Sequence, residues 1–237
     1  WMLDSYRFLC EVSLKIPGAQ RITGKPAHMR IFWYYLGLGV FLLAIYACAR
    51  RNEKHKDGRE TADLCVSRRK KRLQGIVFSC FIAFLLLFLL FPQKKSFEID
   101  FLDVGQGDGI YLCTGGGTSM FIDGGSTDVK QVGKYRILPF LKAKGVSEIS
   151  YWFVSHTDTD HVSGLKEVLV SGYRVEYLVF AKAVEKEAKT KELAELARSH
   201  GTKVLYMQAG DTVRSKRAAM RCLYPKASDT AEDVNDL

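Results

Sequence analysis

Four side chains able to bind a metal ion fall within six residues. The run Ser155-His156-Thr157-Asp158-Thr159-Asp160-His161-Val162-Ser163-Gly164 presents them as His156, Asp158, Asp160 and His161. A short loop can turn its first and third positions toward one point. It can turn the fifth and sixth toward another about 3.5–4 Å away, the separation found in two-metal hydrolytic centres. Imidazole and carboxylate donors suit Zn, Mn or Fe, and a carboxylate in place of an imidazole shifts preference toward harder ions such as Mn. The competing reading is an acidic helix-capping loop with two incidental histidines, in which Asp160 is the N-cap. The chain holds only five His, so finding two of them here beside two Asp favours the metal site.

The elements that must position this loop can be read around it. ISYWFVS (149–155) is a fully apolar strand that runs straight into His156, and α/β sheets present ligands at such strand ends. FEIDFLDV (97–104) is a strand entering the glycine-rich turn 105–109. Residues 110–114 and 118–125 form a hairpin about the turn Gly115-Gly116-Gly117. Helical spacing at Val132, Ile137, Leu138 and Leu141 predicts a helix over 129–144, closed by Gly145. A helix near 162–171, a strand 175–180, a charged helix 183–200 and strands 203–207 and 218–225 complete an alternating α/β layer. The Glu/Lys spacings of 183–200 give ordinary i,i+4 pairs on a wet face.

Charge divides the 237 residues into two parts. Residues 1–95 carry 17 Lys/Arg against 6 Asp/Glu, whereas 96–237 carry 18 against 20, so the net +9 belongs to the first part. The second part therefore shows no basic nucleic-acid-binding face by charge alone. The apolar content of 47%, with only 5 Pro, excludes disordered and collagen-like classes. Residues 31–49 are nineteen without a charge, and 73–92 are twenty, with Gln74 the most polar. As helices each is about 28–30 Å long, the depth of a bilayer's hydrocarbon core. Both runs are too uniform for an amphipathic core helix, and a signal peptide is not preceded by thirty residues and followed by a second span. Trp33, Tyr34 and Tyr35 suit an interfacial belt. The loop 50–72, with ten Lys/Arg and four acids, belongs in the cytoplasm by the positive-inside bias, leaving 1–30 and everything after Pro92 outside. In the second part Cys113 and Cys222 can meet an oxidising space, and the sequence leaves their pairing open.

At its chemical residues the chain resembles a known family. His156-x-Asp158-x-Asp160-His161 is similar to the metallo-β-lactamase-fold motif His-x-His-x-Asp-His, with Asp for the second His. With Phe101-Leu102-Asp103-Val104-Gly105-Gln106-Gly107-Asp108 and Phe121-Ile122-Asp123-Gly124-Gly125, it resembles the C-terminal domain of ComEC competence proteins, bacterial inner-membrane channels for transforming DNA. The two spans, basic loop and short linker extend the likeness over residues 17–237.

The resemblance implies an α/β fold in which a two-helix transmembrane hairpin precedes a truncated metallo-β-lactamase-like αββα domain at 97–237. Residues 1–30 would be the external end of a preceding channel domain. It implies that His156 and Asp158 ligate one of two divalent ions (Mn or Zn), and that Asp160 and His161 ligate the other. Asp160 would also orient the attacking water. Asp123 would brace the site, while Asp103, Gly105, Gln106, Gly107 and Asp108 shape its wall. The glycines also have a simpler explanation in tight turns.

A Thr-Gly-Asp motif and a His-His-Gly segment of the family are missing, so the chain is expected to stop before them. It should then bind metal weakly and catalyse little unaided. The implied function is hydrolysis of phosphodiester bonds in incoming DNA on the external face of a multi-pass bacterial membrane protein. Its implied partners are DNA, membrane lipid and other competence-machinery proteins. Arg214, Lys216 and Arg217, with Arg221, are candidate phosphate contacts or a solvated hairpin. The alternatives are a membrane-tethered hydrolase of a small ester or lactone and a non-catalytic module that docks DNA or a pilus component.

Overall fold

Alternating β-branched and aromatic runs separated by glycine turns produce a six-stranded sheet with spatial order β1-β2-β3-β4-β5-β6. The computed structural model describes residues 1–16, 21–54, 64–91, 95–215 and 218–226. The strands are β1 (Glu98–Phe101), β2 (Gly109–Cys113), β3 (Ser119–Asp123), β4 (Glu148–Val154), β5 (Arg174–Ala181) and β6 (Lys203–Met207). The first three pair antiparallel, and β3 to β6 run parallel through helical crossovers. A separate hairpin pairs β7 (Thr212–Arg214) with β8 (Ala219–Arg221). The architecture is mixed α/β with a largely parallel sheet.

One row of side chains builds the core. Tyr111, Phe121, Trp152 and Leu178 stand in register across four strands and are all buried. Against them pack Leu138 and Leu141 of α4 (Leu138–Ala143), Leu165 and Leu169 of α5 (Thr159–Val170), and Leu193 and Ala197 of α6 (Ala188–Ser199). Phe121 and Trp152 stack with ring centroids 4.5 Å apart. The neighbouring row, Ile110, Ile122 and Phe153, is half-buried on the opposite face.

Several boundaries differ from expectation. The helix predicted over 129–144 begins as a π-helical turn, Gly133–Ile137, before α4. The charged helix starts at Ala188 after a 3-10 turn, Lys182–Val184, not at 183. The strand expected over 218–225 contracts to β8. Asp160 is not the N-cap of the helix after the motif. That position belongs to Asp158, whose carbonyl accepts from the amides of His161 and Val162, so α5 starts at Thr159 and holds Asp160 in its first turn.

The remaining helices are α1 (Met2–Leu14), α2 (His28–Lys54) and α3 (Leu64–Leu90). The chain divides into two units: residues 25–93, and residues 94–237 together with 1–24. Within the smaller unit α2 and α3 touch through Phe41, which stacks on Phe78 and Phe81. Among the described residues one stretch, His28–Ala47, is long and apolar enough to cross a membrane, with a mean hydropathy of 1.5. Gly75–Leu90 is a shorter apolar stretch within α3. The middle of the basic loop, 55–63, lies outside the described residues, as do Lys216, Arg217 and 227–237.

Candidate metal centre

Asp123 organises the site from the end of β3. It takes a left-handed conformation (φ +58°), tolerated by Asp, and is only 5% exposed. Its backbone carbonyl accepts from the Trp152 indole N–H at 2.6 Å, tying the site to the core. One carboxylate oxygen, Oδ1, accepts from the Ser155 amide at 2.8 Å. The other, Oδ2, accepts from the Ser155 hydroxyl at 2.9 Å and stands 3.1 Å from His161 Nδ1. The Ser155 oxygen also lies 3.1 Å from His156 Nδ1 and 3.2 Å from His161 Nδ1.

The two imidazoles stand with centroids 3.7 Å apart. His161 Nε2 is 3.6 Å from Asp160 Oδ2 and 3.8 Å from Asp108 Oδ2. Two groups of donor atoms lie within 4.8 Å of one another: His156, Asp160 and His161, and Asp108, Asp123 and His161. Nitrogen and carboxylate oxygen in that combination fit Zn²⁺ or Mn²⁺. Asp108, expected to shape the wall, thus stands among the candidate ligands. Asp158 falls outside both groups. Its Oδ2 is 3.9 Å from His156 Nε2, while Oδ1 pairs with Lys189 of α6 at 2.9 Å. That ammonium holds the Asp158 carboxyl below the usual carboxylate range.

The loop 103–109 closes one side and is pinned at both flanks. Asp103 is held by Arg136 from the π-helical turn, at 2.7 Å to Oδ2, and this contact lowers its pKa. The Gln106 amide donates to Asp128 Oδ1 at 2.8 Å, which lowers the pKa of Asp128. Gly105 (φ +80°) sits over the Asp128 side chain, where a Cβ has no room, and Gly107 lies against the carbonyls of Gly125 and Asp160. The backbone of Asp108 joins the two motifs: its amide donates to the Asp160 carbonyl and its carbonyl accepts from Gly125, each at 3.3 Å.

Ser155, Asp128, Arg136 and Lys189 were not anticipated as members of the site. Ser155 carries a local signal, being adjacent to His156. The other three come from 22 to 33 residues away, and no spacing marks them. Beside Ser155 a cleft of about 250 Å³ opens, lined in part by Phe153, Val179, Met207, Arg221 and Tyr224. Arg221 borders this cleft, whereas Arg214 sits at the other end of the same hairpin, paired with Ala219. Cys113 and Cys222 are free thiols, the first buried in β2.

No family model matches the chain. It is 27% identical over 188 residues to ComE operon protein 3 of Bacillus subtilis (strain 168), covering 73% of this chain and 24% of that protein. It is 31% identical over 106 residues to Recombination protein 2 of Haemophilus influenzae, covering 44% and 13%. The chain spans about a quarter or less of the length of these relatives. At this modest identity the chain is a homologue of both.

Proposed function

We propose that the chain is part of a DNA-uptake protein of the bacterial cell membrane, and that residues 97–237 hydrolyse phosphodiester bonds of incoming DNA with divalent metal ions. The carrying observation is the convergence of His156, Asp160, His161 and Asp108 at the C-terminal end of a parallel strand. The similarity to the two curated relatives and the resemblance to ComEC competence proteins support the DNA substrate.

As the resemblance implies, His156 and Asp158 would hold one ion and Asp160 and His161 the other. Asp158 reaches inward with Oδ2, because Oδ1 is committed to Lys189. When bound, a pair of Mn²⁺ or Zn²⁺ ions supplies a water of near-neutral pKa and stabilises charge on the entering and leaving oxygens. Asp160, in the first turn of α5, orients the attacking water. Asp123 and Ser155 hold both imidazoles in place, and the loop 103–109 excludes bulk solvent from one side. Arg221, on the cleft beside Ser155, contacts a backbone phosphate. In this reading α2 and α3 form a transmembrane hairpin, the loop 50–72 is cytoplasmic, and the catalytic domain is outside, with a metallo-β-lactamase-like fold.

The test uses labelled linear DNA with Mn²⁺, Zn²⁺ or chelator. It is run on this chain and on a polypeptide extended to the length of its relatives. Metal-dependent cleavage is expected from the extended polypeptide and little from the chain alone. Asp160→Asn should lower the rate at least about 100-fold, the scale of a lost general acid–base group. A metal-loaded extended protein that leaves DNA intact would refute the nuclease reading. Turnover of small esters instead would move the substrate class, and loss of neither binding nor transport in the Asp160→Asn variant would favour a docking module.

A further inference from the structure

We infer that the Ser155 hydroxyl is a positioning group that fixes both site histidines as Nδ1–H tautomers, so that only their Nε2 atoms face the metal. The argument begins with hydrogen-bond capacity. A serine hydroxyl has one proton to donate and two lone pairs to accept with. Three partners surround this oxygen: Asp123 Oδ2 at 2.9 Å, His156 Nδ1 at 3.1 Å and His161 Nδ1 at 3.2 Å. A carboxylate only accepts, so the single hydroxyl proton must go to Asp123. Both lone pairs then face imidazole nitrogens, which must carry their own protons to avoid lone-pair repulsion. His161 Nδ1–H is shared with Asp123 Oδ2 at 3.1 Å, which reinforces the same assignment.

The consequence separates the two overlapping donor groups. Asp123 and both Nδ1 atoms are consumed by the Ser155 network, which removes Asp123 from the ligand set. The unprotonated Nε2 atoms lie on the other side, with Asp160 and Asp108 near His161 and Asp158 near His156. A metal-ligating imidazole with its second nitrogen so held is oriented and more basic, and loss of such a partner typically costs about 10–100-fold in metal affinity. Ser155 thereby serves two ligands with one oxygen.

The inference rests on the metal-centre reading, but its first measurement needs no metal. The full chain, ¹⁵N-labelled at histidine and held metal-free in detergent micelles, is observed by two-bond ¹H–¹⁵N NMR at a pH where its own ¹⁵N shifts report neutral rings. His156→Asn and His161→Asn assign the signals. Both residues should show the Nδ1–H pattern in the unsubstituted chain. Ser155→Ala should shift at least one of them toward Nε2–H and raise the Kd for Zn²⁺, measured calorimetrically, by about 10–100-fold. Ser155→Thr, which keeps the hydroxyl, should restore both. An Nε2–H pattern in the unsubstituted chain overturns the inference, and so does a Ser155→Ala variant with unchanged tautomers and affinity. If Ser155→Ala does not fold, the unsubstituted chain and Ser155→Thr decide the question. Nδ1–H tautomers without any Zn²⁺ binding would sink the metal-centre reading and uphold the tautomer assignment.

Discussion

A methyl group at Gly164 would have to occupy the place of the Gly124 carbonyl oxygen and the Ile137 side chain. This contact lets α5 approach the end of β3 closely enough for His161 to reach Asp123. Gly164→Ala should therefore destabilise the domain by about 1–3 kcal/mol, as overpacked sites do, read as a lower urea midpoint at unchanged slope. Zn²⁺ affinity should fall with it, and a variant of unchanged stability would show that the helix can shift at no cost. At this scale the sequence was informative where chemistry is local. His156, Asp160 and His161 lie on one turn of chain, so their types and spacing announce a shared site. Asp158 shows the limit: it sits at a motif position, yet one of its oxygens goes to Lys189, 31 residues away. The role of Ser155 likewise depends on Asp123, which returns from β3 across 32 residues.

Among the elements, the loop 103–109 depends most on charge. Asp103 and Asp128 both have lowered pKa values, from Arg136 and from the Gln106 amide respectively. A depressed carboxylate stabilises the folded form above its unfolded pKa, about 3.9, and loses that contribution as pH falls through the folded value. The loop should thus hold its order from about pH 7 to about pH 4 and loosen only below. Amide exchange at Gly105 and Gln106 checks this, since both N–H groups donate to these carboxylates. Loosening above the ordinary carboxylate range would contradict it. The strands were legible because β-branched and aromatic runs end at glycines. Helix starts were not: α5 begins at Thr159 because the Asp158 carbonyl takes the first helical bonds, and period counting from apolar residues cannot see that. Of the short β7–β8 hairpin, β8 lies within the strand expected over 218–225, whereas β7 was not read as a strand.

For the molecule as a whole, hydropathy separated an apolar helical part from an α/β part, and the division into two units falls at residues 24–25 and 93–94. Among the described residues one apolar helix meets the length of a bilayer, and the proposed second span, with its topology, is open to direct measurement. Alkaline phosphatase fused after Ser96 should be active and fused after Asp63 inactive. The reverse pattern would place the α/β unit in the cytoplasm and remove it from incoming DNA. What composition could not convey is the architecture, because the near-neutral charge of 96–237 fits many α/β layers. The sheet order has its own consequence. Every strand from β2 to β6 lies beside the strand made just before it. As the polypeptide leaves the ribosome, each new strand finds its neighbour already present, and no earlier pair must open to admit a later one. Asp108, Asp123, His156, Asp160, His161 and Gly164 are all synthesised before β5 begins. The pocket chemistry and the order of synthesis coincide, so the ligand cradle belongs to the first part of the domain to emerge, and β5 and β6 extend its wall afterwards.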